Sequence, residues 1–309
     1  MRSLLRRLHV YGDFWPRILN WSVLHCPWFL EPVIVFGCSI LFFLCCGKAR
    51  RAVVGNLRVI LPTSSWLGVQ IRALRVFWNF AWTIDDEAQV RNHGDVLTWE
   101  IAGLKHLQEL EASTSGGVLL TAHMGNYDIA APVFADRFKR TIHMVRTPER
   151  DSESNNYQHE LRARQQSHAF VIHYNEPGNM LGVELARSIG EGGIVAIQGD
   201  RILFDVSPMT VPFDNQHEWR LPRGPFLLSL ITRCEIHPVF ILRMGYRRYR
   251  IEAHSPIFVN VKHPDGREAA QMEVAGQWSK ILREAVQKHW RQWYVFEPIF
   301  VSTKLRENQ

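Results

Sequence analysis

The sequence lacks the cysteine pattern of a disulfide-stabilised secreted domain or of a zinc site. It has five cysteines in 309 residues, and four of them lie in or beside one apolar segment. An odd number without a second cluster argues against a disulfide framework, and no metal-ligand spacing is present. We interpret the five cysteines as small apolar packing residues of a protein in a reducing compartment. They are Cys26, Cys38, Cys45, Cys46 and Cys234.

Motifs of two other protein classes are also absent. Without a Gly-x-Ser-x-Gly elbow, the chain lacks the main signal of a serine-nucleophile hydrolase. Without Cys/His finger spacing, a leucine-zipper register or an RRM-type aromatic motif, it lacks the signatures of nucleic-acid binding. The net charge of +6 and the pI of about 9.2 therefore indicate an anionic membrane surface or an acidic partner protein.

No apolar run reaches the length of about 20 residues that a membrane-spanning helix needs. The longest, Pro32–Gly47, has 16 residues without a charge, and Glu31 interrupts its upstream extension. We predict a membrane anchor at about residues 27–47 that either spans the bilayer or lies at its surface, with a buried core helix as the alternative. If it spans, the basic residues Lys48, Arg50 and Arg51 place the rest of the chain in the cytoplasm.

The pattern changes from helical to alternating at about residue 95. Residues 1–95 are predicted to be helical, with a break at Pro62 and a cap at Ser64 or Ser65, and residues 96–309 to form an α/β domain. Alternation of strands and helices predicts a mostly parallel central sheet flanked by helices. The predicted strands are Val118–Ala122, Ile142–Val145, Phe170–His173, Ile194–Ile197, Ile236–Leu242 and Arg248–Ala253. The predicted helices are Tyr127–Phe138, Asn156–Ser167, Gly182–Gly190, Pro225–Thr232 and Ala269–Trp290.

The most informative stretch is His123-Met-Gly-Asn-Tyr-Asp128, which directly follows an apolar strand candidate. On one continuous helix, residues five apart point roughly 140° away from each other, whereas a strand, a turn at Gly125-Asn126 and a helix bring the carboxylate back to the imidazole. That carboxylate would fix the ring tautomer, and such a ring suits a general base. A histidine beside a buried strand also has ordinary structural roles.

Two more strand candidates end in charged residues. Ile194–Ile197 leads into Gln198-Gly-Asp200-Arg201, and Ile142–Val145 leads into Arg146. The first of these ends can border the same crevice as His123, although an Asp–Arg pair that only shapes the turn is the alternative. Arg146 is suited to hold a phosphate or a carboxylate with its planar fork. The Pro- and Arg-rich segment 211–225 is interpreted as a loop.

A series of sequence blocks runs through nearly the whole chain. They are the apolar N-terminal segment, Asn56–Pro62, the His-x4-Asp motif at residues 123–128, Val145–Arg150, Ile194–Arg201, Val211–Phe213, Pro238–Phe240 and Gln292–Pro298. In the order and spacing of these blocks, the chain resembles the bacterial lipid A biosynthesis (lauroyl/myristoyl) acyltransferase family, within the lysophospholipid acyltransferase superfamily. Many family members carry Glu in place of Asp128, and Asp-Gln or a related pair in place of Asp200-Arg201.

The resemblance implies transfer of a fatty acyl group from a thioester, with acyl carrier protein or acyl-CoA as donor, to a hydroxyl of a glycolipid such as a lipid A precursor. His123 would be the general base and Asp128 its orienting carboxylate, and no cofactor or metal would be needed. Backbone amides near Gly125 and Asn126, or an arginine, would stabilise the oxyanion. The polar head of the acceptor would be held by Arg146, Arg150, Asp200 and Arg201.

The location implied is the bacterial inner membrane, with the catalytic domain on the cytoplasmic side and an anionic membrane surface as a partner. Two alternatives remain open at this point. One is acyl transfer to a lysophospholipid or another amphiphile. The other is a non-catalytic membrane-associated scaffold, against which the intact His123, Asp128 and Asp200 argue.

Overall fold

The computed structural model describes residues 14–62, 65–94, 96–146, 170–175, 178–202 and 208–303. In this part of the chain the N-terminal region is helical, as predicted. Its helices are α1 (Phe14–His25), α2 (Glu31–Cys45), α3 (Gly47–Ile60) and α4 (Trp66–His93). Ser65 begins α4, because its hydroxyl accepts a hydrogen bond from the N–H of Gly68 at 3.1 Å and so satisfies one of the free donors at the helix N-terminus.

The alternating region follows as strands and helices in the expected order. The strands are β1 (Thr98–Ala102), β2 (Gly117–Thr121), β3 (Ile142–Arg146), β4 (Phe170–Tyr174), β5 (Ile194–Gln198), β6 (Pro208–Pro212), β7 (His217–Pro222), β8 (Ile236–Gly245), β9 (Arg248–Ala253) and β10 (Phe300–Ser302). The helices are α5 (Leu104–Ala112), α6 (Tyr127–Phe138), α7 (Leu181–Gly190), α8 (Gly224–Thr232) and α9 (Gly266–Lys288), with a short 3₁₀ turn at Trp290–Gln292.

A seven-stranded sheet forms the centre, in the order β1-β9-β8-β2-β5-β3-β4. Its neighbouring strands are parallel except for the antiparallel hairpin of β8 and β9, so the predicted mostly parallel sheet is confirmed. Strands β2 and β5 pair directly, with Thr121 opposite Gln198. The segments that follow them, which carry His123 and Asp200, therefore leave the sheet side by side at its carboxyl edge.

The six predicted strands and four of the predicted helices are found within a few residues of their expected bounds. The predicted helix at Asn156–Ser167 lies outside the described residues. The interpretation of segment 211–225 as a loop is wrong in part, because β6 and β7 pair there and join β10 in a second, antiparallel sheet. Strand β6 has Pro208 and Pro212 at its two ends, which an edge strand tolerates.

One hydrophobic core connects the N-terminal helices with the central sheet. It includes Leu57 of α3 and Val76 of α4 together with Val118 and Leu120 of β2, all at most 2% exposed. Burial of apolar side chains stabilises by roughly 1.5–3 kcal/mol for each large residue. The helical region is therefore packed onto the sheet rather than loosely attached to it.

No single helix among the described residues is long and apolar enough to cross a membrane. The predicted apolar segment forms α2, and α2 and α3 pass a length and composition test only as a pair, with a bend of 93° between them.

A buried group of charged side chains fastens α2 and α4 to the β8–β9 hairpin. The Glu31 carboxylate accepts hydrogen bonds from the Tyr246 hydroxyl at 2.9 Å and from Arg247 at 3.4 Å. Desolvation, together with the hydrogen bond that protonated Asp85 donates to the neighbouring Glu31 and the negative charge of Glu31, raises the pKa of Asp85 to about 8. At neutral pH the Asp85 carboxyl group therefore keeps its proton.

The proton that Asp85 retains makes the stability of the fold depend on pH. The folded state binds the proton of Asp85 more tightly than the unfolded chain does, so the free energy of unfolding falls as the pH rises from about 4 to about 8. Asp85→Asn keeps a neutral side chain at every pH. We expect its melting temperature to exceed that of the wild type by several degrees at pH 8 and by much less at pH 5.

Asp86→Asn is the comparison variant for this measurement, at a neighbouring carboxyl group whose pKa burial also raises. Asp86 accepts hydrogen bonds from Arg243 at 2.8 Å and from the Tyr249 hydroxyl at 2.7 Å, so its loss leaves a buried guanidinium without its carboxylate. That variant should be destabilised by roughly 3–5 kcal/mol. The melting temperatures of Asp85→Asn and the wild type should therefore differ more at pH 8 than at pH 5. An equal difference at both pH values would contradict the retained proton on Asp85.

Candidate functional site

His123 follows β2 at the carboxyl edge of the sheet, where the sequence predicts it. Its side chain is mostly buried, and the Tyr127 ring meets the imidazole edge to face with centroids 5.7 Å apart. Asn126 ends the turn as the N-cap of α6, its side-chain oxygen accepting the N–H of Ile129 at 3.4 Å. The strand, turn and helix expected for this motif are thus present.

The carboxylate that binds the His123 ring belongs to Asp200. Its Oδ1 lies 2.7 Å from His123 Nδ1, and its Oδ2 accepts the backbone N–H of His123 at 2.9 Å. Burial alone would raise the pKa of the Asp200 carboxyl, but the charge and the two hydrogen bonds of His123, with the charge of Arg201, hold that pKa below its ordinary value. An ionised carboxylate only accepts, so Nδ1 carries a hydrogen, and in the neutral form of the ring Nε2 is the nitrogen with the lone pair.

This geometry corrects the predicted pairing of His123 with Asp128. Asp128 Oδ1 accepts a hydrogen bond from Arg146 at 2.7 Å, so its carboxylate is directed to the guanidinium at the end of β3. The sequence contains two carboxylates that can reach the crevice, and spacing along the chain favours the nearer one. The pairing of β2 with β5 brings the distant one, Asp200, to Nδ1 instead.

Three of the predicted substrate-binding groups have structural partners. Asp200 is fully buried and both of its oxygens bind N–H groups, so it cannot hold an acceptor. The Gly125 N–H donates to the carbonyl of Gln292 at 3.0 Å, and Asn126 Nδ2 donates to the carbonyl of Thr83 at 3.0 Å. These contacts fix the turn that carries His123.

Arg146 and Arg201 both lie near Tyr127. Burial and the charge of Asp128 raise the pKa of the Tyr127 hydroxyl, and the charges of Arg146 and Arg201 act in the opposite direction. Arg201 lies 3.6 Å from Glu297, with about a quarter of its side chain exposed. Two of the predicted arginines are thus at the crevice that contains His123. The third, Arg150, lies outside the described residues.

The segment after the 3₁₀ turn is a part of the site that the sequence did not assign. The N–H of Tyr294 donates to the carbonyl of His123 at 2.7 Å, and the indole N–H of Trp293 donates to Asp200 Oδ2 at 3.0 Å. The block Gln292–Pro298 was noted in the sequence, but nothing in its pattern indicates which residues it would contact.

A narrow apolar cleft lies between the sheet and α6, beside Tyr127. Its volume is about 40 Å³, and its walls come mainly from aliphatic side chains of four parallel strands. Among them are Leu119, Ile142, Met144, Ala196 and Ile241, with Phe134 from α6. Within the described residues, no group of three or more His, Cys, Asp or Glu side chains is arranged to hold a metal ion.

No curated protein matches the chain. The family model described as bacterial lipid A biosynthesis acyltransferase matches residues 6–302, which is nearly the whole sequence, including both sheets and the crevice at His123. The resemblance seen in the sequence is thereby confirmed. The chain belongs to the bacterial lipid A biosynthesis acyltransferase family and is an enzyme that transfers acyl groups.

Proposed function

We propose that the protein transfers a fatty acyl chain from a thioester to a hydroxyl of a lipid A precursor, with His123 as the general base. The observation that carries this proposal is the 2.7 Å contact between Asp200 and His123 Nδ1. It leaves Nε2 of the neutral ring free to accept a proton and stabilises the imidazolium that then forms. Family membership supports an acyl donor and a lipid acceptor.

The reaction needs no covalent acyl-enzyme. The acceptor oxygen attacks the thioester carbonyl carbon while Nε2 of His123 takes the hydroxyl proton. The tetrahedral intermediate then collapses, the carbon–sulfur bond breaks, and the departing thiolate takes the proton from the ring. The products are an ester and a free thiol, so atoms and charge balance without a cofactor or a metal. Asp200 holds the ring throughout and stays ionised.

The arginines at the crevice are suited to the polar parts of the substrates. Arg146 and Arg201 keep part of their side chains exposed, and each has an Nε with no hydrogen-bond partner in the described structure. We propose that Arg201 binds an anionic group of the acceptor. Arg146, which pairs with Asp128, borders the same crevice. The apolar cleft beside Tyr127 would receive the first methylenes of the acyl chain if α6 moves away from the sheet.

The donor and acceptor can be identified in one assay. Purified protein in detergent is incubated with an acyl thioester of acyl carrier protein or of CoA, together with a lipid A precursor that has free hydroxyl groups. Mass spectrometry of the lipid extract should show the precursor heavier by one acyl chain, with acyl carrier protein as the better donor because it is acidic and this chain is basic. Faster acylation of a lysophospholipid offered in parallel would contradict the assigned acceptor.

The turn that carries His123 gives a test of its position. Gly125 has φ +54°, and a Cβ there would lie 1.7 Å from the carbonyl oxygen of Ile241. Gly125→Ala therefore has to displace the turn from β8, and a shift of about 1 Å in a catalytic group costs roughly 10²-fold in rate. We expect kcat/KM for acyl transfer to fall by about that factor.

Gly276→Ala is the matched control, because Gly276 lies within α9 and a Cβ there would meet nothing within 4 Å. It should keep full activity and gain about 0.5–1 kcal/mol of stability. Wild-type kcat/KM in Gly125→Ala would show that the close approach of the turn to β8 does not position the base.

We also propose that the helical region holds the enzyme on the cytoplasmic face of the inner membrane. Apolar side chains are exposed along α1, the α1–α2 turn, α2 and the first half of α4, and we call them the apolar face. Its members are Ile18, Trp21, Leu24, Trp28, Phe29, Leu30, Val33, Phe36, Leu41, Leu44, Trp66, Leu67, Ile71 and Trp78. Exposed apolar surface of this extent is typical of a membrane or protein interaction site.

Point substitutions test this membrane contact without removing a packed helix. Trp28, Phe29 and Val33 are each at least 60% exposed, so their replacement by Glu should leave the fold intact. Each large apolar side chain contributes roughly 1.5–3 kcal/mol when it leaves water, and we expect the triple variant to lose at least tenfold in binding to anionic vesicles in a sedimentation assay. Phe258→Glu, at a side chain that is 64% exposed elsewhere, is the control. Undiminished sedimentation of the triple variant would contradict the proposed surface.

A further inference from the structure

Asp200 has a third hydrogen-bond donor that the proposed reaction does not use. Besides the two N–H groups of His123, it accepts the indole N–H of Trp293, which lies 3.0 Å from Oδ2. The Asp200 side chain is inaccessible to water and Trp293 is 3% exposed, so no solvent molecule can substitute for this donor.

The backbone around Trp293 keeps the indole in place. The segment forms an isolated antiparallel bridge between Met124 and Trp293. On either side of that bridge, the Gly125 N–H binds the carbonyl of Gln292 and the Tyr294 N–H binds the carbonyl of His123. The turn that carries the base and the segment that carries the indole are therefore one unit, and a small movement of either would be transmitted to the other.

We propose that Trp293 is a positioning residue that sets the pH range over which His123 acts as a base. An N–H bound to a carboxylate disperses its negative charge, so Asp200 attracts the imidazolium less strongly than a carboxylate with only two donors would. The third donor thus favours the neutral ring, which is the form that accepts the hydroxyl proton. This role rests on the proposed function.

The other charged or titratable groups near Asp200 and His123 belong to four parts of the chain. Tyr127 and Asp128 lie on α6, Arg146 ends β3, and Arg201 follows Asp200 and faces Glu297. The charge of Glu87, on α4, reaches Tyr127 and Arg146. Changing only the indole N–H of Trp293 leaves all of these groups in place, so a changed pH profile can be assigned to the missing donor.

Trp293→Phe removes the donor and keeps an aromatic ring. Oδ1 still binds Nδ1 and Oδ2 still binds the His123 N–H, so the carboxylate stays on the imidazole with its charge more concentrated. We expect the acid limb of the kcat/KM profile to move to higher pH by roughly half a unit. Activity would then be about threefold lower on that limb, and the plateau at high pH would change little.

Trp278→Phe is the matched control. Trp278 is as deeply buried, and its indole N–H donates to the carbonyl of Gly199 at 2.8 Å, one residue before the carboxylate. It should leave the acid limb where the wild type has it. An acid limb in Trp293→Phe that is unmoved, moved to lower pH, or moved equally by Trp278→Phe would overturn the proposal.

A second variant and an NMR titration test the same role of Trp293 independently of the folding of Trp293→Phe and of turnover. If Trp293→Phe does not fold, 3-benzothienylalanine at position 293 keeps the shape of the indole without its N–H. The His123 ring signal of protein labelled with ¹³C-histidine, followed by NMR against pH, should move in the same direction without any turnover. If the His123 titration midpoint is the same in the wild type and in the position-293 variant, the role of Trp293 is refuted. An active His123→Ala variant would instead refute the proposed function.

Discussion

His123→Ala is expected to lower kcat/KM for acyl transfer by roughly 10²–10⁴-fold, the usual contribution of a general base. The neutral ring presents Nε2 because Asp200 holds Nδ1, and alanine leaves no group that can take the hydroxyl proton at this position. KM for the lipid acceptor should change little, since the ring acts on the proton and not on the headgroup. The measurement is the initial rate of lipid acylation at several acceptor concentrations.

His237→Gln is the control for loss of a buried histidine. His237 lies near the start of β8, next to Leu119 of β2, at the end of the sheet opposite to His123. Burial lowers the pKa of His237 to about 4, so it is neutral at the assay pH and its loss removes no charge. More than half of wild-type turnover in His123→Ala, at an unchanged melting temperature, would contradict the assignment of the base.

Asp200→Asn should be nearly as inactive. Two N–H groups, from His123 and Trp293, point at Oδ2, so the amide oxygen of Asn takes that place and its NH₂ group faces Nδ1. The ring then has to accept at Nδ1 and carry its hydrogen on Nε2, which is the wrong tautomer for a base. The same change in a Ser-His-Asp triad lowers kcat by about 10⁴-fold, and we expect a loss of at least about 10²-fold here.

Thermal stability distinguishes a wrong tautomer from simple unfolding. Asp200→Asn keeps the size of the side chain and both N–H partners of Oδ2, so the melting temperature should fall by only a few degrees. Asp200→Ala removes the acceptor from three N–H groups and should be much less stable. Activity of Asp200→Asn within tenfold of the wild type would mean that the carboxylate is not needed to orient the ring.

The sequence predicted the sheet and the place of His123, the proposed base, because both depend on local patterns. Short, mostly apolar runs of four or five residues bounded by turn residues identify buried strands, and this pattern predicts β2, β3 and β5. His123 at a strand end follows from the same pattern. Strand β1 and the second, antiparallel sheet were not predicted, since β1 has only exposed and half-buried residues and β6 has a proline at each end.

The carboxylate partner of His123 could not be predicted, because it depends on which strands are neighbours. A separation of five residues favoured Asp128, while Asp200 is 77 residues away in sequence. Only the pairing of β2 with β5 makes Asp200 adjacent, and a single sequence does not specify strand order. Trp293 was missed for the same reason, since it reaches the site from a segment 93 residues beyond Asp200.

The most direct test of the account compares Asp200→Asn with Asp128→Asn in one acyl-transfer assay. Asp128 pairs with Arg146 at a partly exposed position. Its replacement by Asn therefore weakens the ion pair with Arg146 without changing the tautomer of His123. We expect Asp200→Asn to lose at least tenfold more of kcat/KM than Asp128→Asn. The reverse order, with Asp128→Asn the more damaged at equal thermal stability, would contradict the assignment of Asp200 as the carboxylate that serves the base.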